Sequence, residues 1–160
     1  MGRRELPSLG ARGEGWVALQ ALLLLAVGAC GLLGPSWPEG STPWRIAGAI
    51  VAGVAALVLV VGGFHGLGSQ LTPFPKPVEG GELRQGGVYG LVRHPIYGGV
   101  ILLSVAWSLA LSPLALVPSA LLGLLFEGKR RREEAWLVER HPSYEDYRGR
   151  VRRHFIPFLW

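Results

Sequence analysis

A chain of 160 residues has room for one soluble domain, yet 49% of this one is apolar, only 17% is charged, and its mean hydropathy is positive. The apolar residues fall into runs nearly free of charge, which excludes an ordinary soluble core and predicts helices that cross lipid, with little chain left for a separate soluble domain. The single Cys30 excludes an internal disulfide and a cysteine-based metal site, and the net charge of +5 flanks the apolar runs without any recognition motif, as membrane orientation rather than nucleic-acid binding requires.

Residues 1–15 are polar and Gly-rich and place Arg3, Arg4 and Arg12 ahead of the first apolar run, 16–33. That run is long enough to span and further runs follow, so it reads as a first span rather than a cleaved signal. Gly34-Pro35-Ser36-Trp37-Pro38 breaks it, and a second run, 46–67, is rich in Val, Ala and Gly and ends near His65, expected as an interfacial side chain. From Gly68 to Arg93 the composition shifts to Pro, Gly and charge, stiffest over 72–77; such backbone cannot face lipid at depth and predicts an interfacial loop. The third run, 96–111, stops at Ser112-Pro113, and the fourth, 114–126, contains Pro118. Each falls short of the roughly 20 residues of a perpendicular span, so the two predict a tight hairpin. The tail from Lys129 to Trp160 is amphipathic and basic: the fourth helix continues along the headgroups, His141-Pro142-Ser143 breaks it, a short helix follows through Tyr144 and Tyr147, and 155–160 form an interfacial anchor.

The fold expected is an all-α integral membrane protein of about four transmembrane helices, with a cytoplasmic amphipathic tail. Residues 1–67 form the N-terminal tail and two spans, and residues 68–160 the loop, hairpin and tail that carry the concentrated polar residues. Fifteen of the sixteen Lys and Arg residues lie on the side of the termini, the 68–95 loop and the tail, and only Arg45 on the other. The positive-inside rule then places both termini and every polar cluster on the cytoplasmic side of the membrane.

The densest polar stretch is GGVYGLVRHPIYGG, 86–99. Pro95 suits the first turn of a helix, which puts His94 at the cap and Tyr97 close above it. Glycines 86, 87, 90, 98 and 99 are expected to bare the backbone to a ligand, and the helix N-terminus favours a carboxylate or phosphate on it. The hairpin carries Glu133 and Glu134 towards His94. There is no phosphate-binding loop, no His pair at helical metal spacing and no nucleophile elbow, and the Arg130-Arg131-Arg132 run beside His94, His141 and Glu133 argues against a bare dication.

Tyr89-x-x-x-Arg93-His94-Pro95-x-Tyr97, the hairpin, Glu133-Glu134, Tyr144-x-x-Tyr147 and an Arg-rich close to Pro157 together resemble the isoprenylcysteine carboxyl methyltransferase family, which belongs with the membrane phospholipid methyltransferases. Leu71-Thr72-Pro73 looks like bacterial members. The resemblance covers about residues 68–158 and implies an integral membrane enzyme that moves a methyl group from S-adenosylmethionine to a lipophilic or lipidated acceptor, without metal. It implies that Leu83, Tyr89, His94, Pro95, Tyr97 and Glu133 bind the cofactor, that Arg93, His94 and Arg130 serve catalysis, and that Lys129 or Arg130 faces the acceptor. By the family's spacing Glu133 enters the pocket; Glu134, about 100 degrees round the helix, is expected towards solvent or the basic tail. An amine acceptor would have to lose a proton, for which His94 is a conceivable base. His141-Pro142-Ser143-Tyr144 is one residue shorter than the family's Phe-Gly-x-x-Tyr, which touches the acceptor side. The alternatives are a phospholipid amine methyltransferase and a non-catalytic lipid-binding or assembly protein.

Overall fold

The computed structural model describes residues 7–160, so Arg3 and Arg4 of the charge count lie outside the described residues. Those residues form five α-helices and no strand: α1 (Glu14–Leu33), α2 (Thr42–Leu67), α3 (Pro95–Leu111), α4 (Leu116–Arg140) and α5 (Tyr144–Arg150). Short 3-10 turns sit at Gly68–Gln70, Gly87–Gly90 and Pro113–Ala115. Two helices, α1 and α2 with the turn that prolongs it to Gln70, are long and apolar enough to cross a membrane; α3 is apolar but shorter. Their outer faces invert the soluble pattern, with Leu25 71%, Leu33 86% and Val51 70% exposed. Helix α2 starts four residues before its apolar run because Thr42-Pro43 puts a proline in the first turn.

Helix α3 is central. Its partner over most of its length is the antiparallel α2, and the fit depends on small residues. A Cβ on Gly99 would lie 2.5 Å from Val60 Cγ2 and 2.9 Å from the Ala56 carbonyl oxygen, and one on Gly63 2.6 Å from Ile96 Cγ1. Where both surroundings are apolar, close backbone approach is what brings helices together, and the Gly- and Ala-rich second run supplies it. The α3–α4 pair is antiparallel as well. Ser108 Oγ meets Ser119 Oγ at 3.1 Å near the turn, Tyr97 stacks on Phe126 with centroids 4.7 Å apart midway, and Arg93 reaches Glu134 at the far end. Arg45 and the Trp37 indole donate to the last carbonyls of α3, closing a helix end that would otherwise be unsatisfied.

Two expectations change here. Gly98 and Gly99 do not bare the backbone to a ligand, because the protein itself fills the space: a Cβ on Gly98 would stand 1.9 Å from the Phe155 carbonyl oxygen, and Gly99 is packed by α2. Nor does the closing segment turn outward as an anchor. Phe155 is fully buried beside Ile101, Leu122 and Phe126, and the Trp160 ring meets it edge-on at 4.8 Å. The physical cause is that Pro95 keeps His94 out of the helical conformation, with φ −128° and ψ 64°, just before α3. The Arg93 and His94 N–H groups then need partners outside the helix, and the carbonyls of Arg153 and His154 accept them at 3.1 and 2.8 Å. Only Phe158 and Leu159 project from this segment as large exposed side chains without such packing.

Candidate functional site

A cavity of about 400 Å³, within the range of small-molecule sites, opens where the start of α3, the middle of α4, α5 and the 71–84 loop converge. The loop is held as a roof. Arg140 at the end of α4 donates to the Pro77 and Val78 carbonyls, each at 2.7 Å, and the guanidinium of Arg12 lies 4.2 Å from the Phe74 ring centroid. Pro73, Phe74 and Pro75 therefore present a stiff apolar ceiling over polar side chains below.

His94 stands at the cap position of α3, with Pro95 next, as the sequence predicts, but its ring makes no capping hydrogen bond. The ring swings instead to α4, with Nε2 3.0 Å from Glu134 Oε1 and Nδ1 3.7 Å from Glu133 Oε2. The start of α3 is thus met by the chain's own two carboxylates rather than left open for an incoming anion. Tyr97 stacks between His94 (centroids 5.3 Å apart, planes 8° apart) and Phe126, and its hydroxyl donates to Glu133 Oε2 at 2.6 Å. Glu133 Oε1 has no protein partner among the described residues, and of the acidic residues on α4 only Glu133 opens on the cavity.

Glu134 sits behind the wall and is 4% exposed, so of the two places expected for it, solvent or the basic tail, it meets the tail, through Arg130, together with Arg93 from ahead of α3. Arg93 Nε donates to it at 2.9 Å and Arg130 Nη1 at 3.1 Å, and Arg93 Nη1 also donates to the Val151 carbonyl at 2.6 Å. Burial opposes its ionisation, but the hydrogen bonds and charges of His94 and Arg93 outweigh burial and hold the carboxyl well below the usual range. Arg130 pairs with Glu127 and Glu134 and does not line the cavity. Of the two cations considered for the acceptor side, it is Lys129 that does.

The cofactor-binding set of the resemblance is brought together: Leu83, Tyr89, His94, Pro95, Tyr97 and Glu133 all line the cavity. Arg93 reaches it too, though its guanidinium is committed to Glu134 and Val151. The Tyr89 hydroxyl donates to the Gly63 carbonyl at 3.3 Å, so it is the ring of Tyr89 that faces inward with its polar end tied to α2. Two further residues come from outside that set. Gln20 of α1 reaches the cavity; a lone amide inside an apolar span was the available signal. The Tyr144 hydroxyl, in a residue 1% exposed and in the cavity wall, has no hydrogen-bond partner among the described residues. Burial, reinforced by the Glu134 charge, raises its titration far above the ordinary phenol value, so it is a donor across the working pH range.

A scan against protein-family models finds no match, and a search of curated proteins finds none either. The site is therefore read from its own chemistry.

Proposed function

We propose that this chain is a methyltransferase that uses S-adenosylmethionine on a lipophilic, membrane-borne acceptor. The observation that carries the reading is Glu133: a carboxylate with one free oxygen, set beside the stacked faces of Tyr97 and Phe126 at the wall of a roofed cavity. A carboxylate with an unpaired oxygen at the wall of a largely apolar cavity favours a cationic ligand over a neutral one. When bound, the cofactor would supply a sulfonium methyl group that an acceptor takes by in-line displacement of the sulfur. Glu133 Oε1 would accept from the cofactor's ammonium or ribose, the Tyr89 and Tyr97 rings would line its place, and the unpartnered Tyr144 hydroxyl would donate to an acceptor atom such as the cofactor's carboxylate. Arg93, Arg130 and Glu134 act from behind the wall by holding His94. The proline roof excludes water and keeps donor and acceptor in reacting geometry.

The same reading includes four membrane passages, with α3 and the apolar half of α4 as the third and fourth, and both termini and the cavity on the cytoplasmic side. The charge partition and the antiparallel α3–α4 pair support this topology. The test is calorimetric titration of the purified protein with S-adenosylmethionine, followed by transfer of labelled methyl in membranes and extraction of the product. Binding and a labelled lipid-phase product are expected; a protein that binds no S-adenosylmethionine refutes the reading.

A further inference from the structure

Lys129 is 1% exposed and lines the cavity, and its nitrogen is unusually well defined for a lysine. Nζ donates to Gln20 Oε1 at 2.8 Å and to the Pro73 carbonyl at 3.0 Å, and it lies 5.0 Å from the centroid of the Tyr97 ring. Those two acceptors fix two N–H bonds. An amine beyond its own carbon has three positions, so the remaining one carries either a third proton or a lone pair, and no other protein acceptor among the described residues takes it.

We propose that Lys129 is the proton acceptor of the transfer reaction, entering it as a neutral amine and taking the proton from an acceptor heteroatom, an amine or hydroxyl, as the methyl group arrives. This rests on the methyltransferase reading and deepens it by naming the acceptor chemistry. The step balances. The heteroatom's lone pair forms the new bond to the methyl carbon, the carbon–sulfur bond breaks with its pair left on sulfur, and the heteroatom's proton passes to Nζ. One positive charge leaves sulfur and one appears on nitrogen, so the total charge of the cavity is unchanged.

The surroundings suit both halves of that exchange. Burial pushes the ammonium down to about 8, against the opposing pull of Glu133. Facing the same cavity are Glu133 from α4 and His141 just after it, His94 and Tyr97 at the start of α3, Gln20 from α1, Tyr144 and Tyr147 from α5, Tyr89 and the Glu134-paired Arg93 ahead of α3, and from the loop Glu82 and Arg84, paired with each other at 3.4 Å. Glu133 accepts from Tyr97 and His94 is enclosed by Glu133 and Glu134, so His94, the base considered from sequence, is already engaged. A bound sulfonium adds a positive charge that drives the proton off Lys129 before reaction. After transfer the sulfur is neutral, and the ammonium is again tolerated over the Tyr97 ring. Arg130 could not do this, since a guanidinium does not release its proton.

Lys76 and Lys129 are the only lysines of the chain, so protein labelled at lysine Cε with carbon-13 shows two resonances, assigned by a Lys76→Arg variant. Each is titrated with pH in the free protein, with S-adenosylmethionine and with S-adenosylhomocysteine, which lacks the sulfonium charge. The expected result is a Lys129 midpoint at least about one pH unit lower with the sulfonium ligand than with the thioether, with Lys76 unmoved. Lys129→Arg should weaken S-adenosylmethionine binding roughly ten-fold or more while changing S-adenosylhomocysteine binding by less than about three-fold. Lys129→Met should keep both ligands and lose methyl transfer to membrane lipid by about 100-fold or more. If both ligands bind and the Lys129 midpoint is the same with each, or if Lys129→Arg transfers methyl at the wild-type rate, the proton-acceptor role is wrong and the methyltransferase reading stands. If neither ligand binds the wild-type protein, both fall.

Discussion

Replacing Glu134 with Gln removes one charge from a site built around it and leaves the shape nearly intact. The carboxylate receives Arg93 Nε at 2.9 Å, His94 Nε2 at 3.0 Å and Arg130 Nη1 at 3.1 Å, with side-chain exposures of only 3% for Arg93 and 6% for Glu134. A Gln amide offers one acceptor oxygen where there were two and turns an NH2 towards N–H donors, so buried Arg93 loses its carboxylate while Arg130 keeps only Glu127. Removing one partner of a buried ion pair costs about 3–5 kcal/mol. For a chain of this size each kcal/mol moves the midpoint by about 2–4 °C, so Glu134→Gln should unfold at least about 6 °C below wild type in detergent. The pH dependence gives a second reading. The folded carboxyl lies below its ordinary 4.5, so its contribution is fully present above that value and is lost as pH falls through it towards the folded value. The variant should therefore lack part of the wild-type loss of stability below about pH 4.5. Glu133→Gln is the control: its carboxylate is 23% exposed, so the midpoint should move by less than about 3 °C while S-adenosylmethionine affinity drops about ten-fold or more. A stable Glu134 variant beside an unstable Glu133 variant would mean that α4 is rotated by one residue, and the roles given to both would be withdrawn.

Gly98→Ala should destabilise the fold by about 1–3 kcal/mol, because its Cβ meets main chain at Phe155 rather than a side chain that can swing away; thermal unfolding measures it, and an unchanged midpoint would show that the closing segment is not docked on α3. Tyr144→Phe should leave stability unchanged, since its hydroxyl has no protein partner to lose, and weaken S-adenosylmethionine binding about three- to ten-fold by calorimetry; equal affinity would remove Tyr144 from the ligand contacts. Reporter fusions at residues 40 and 112 should report the outer side and fusions at 80 and 160 the cytoplasm, and a cytoplasmic signal at 112 would overturn the four-passage topology.

Element boundaries were legible in this chain where chemistry acts locally. Pro95 starts α3, Ser112-Pro113 ends it, and the His141-Pro142-Ser143 break separates α4 from α5, because proline and the residues around it constrain their own backbone whatever surrounds them. What the glycines are for was not legible. Gly98 and Gly99 carry the same sequence signal as Gly86 and Gly87, yet the first pair admits Phe155 and α2 while the second has open space around it. A glycine permits either a close approach or, as at Gly87 with φ of 60°, a backbone that other residues resist, and only the tertiary arrangement states which. The inward fold of the closing residues was hidden for a related reason: an aromatic and basic ending looks the same whether its rings meet lipid headgroups or, like Phe155, a groove beside Phe126.

The two glutamates show the same division inside the site. That neighbours on a helix must diverge was certain from geometry, while the choice of Glu133 as the one at the cavity came from the spacing of the resemblance, and it is Glu133 that lines it. The destination of Glu134 could not be read the same way. Solvent is the default for an acidic residue after a basic run, and the default fails because Arg93 lies forty-one positions away in sequence and beside it in space. Once Arg93 is there, its guanidinium and the His94 imidazole need a buried counter-charge, and Glu134 is the carboxylate beside both that does not reach the cavity, with Arg130, already paired to Glu127, adding a third contact. The division leaves Glu133 with one oxygen unspent. A single helix can then hold a structural carboxylate and a ligand-binding one side by side, provided that the long-range partner claims the first and the stacked Tyr97 claims only half of the second.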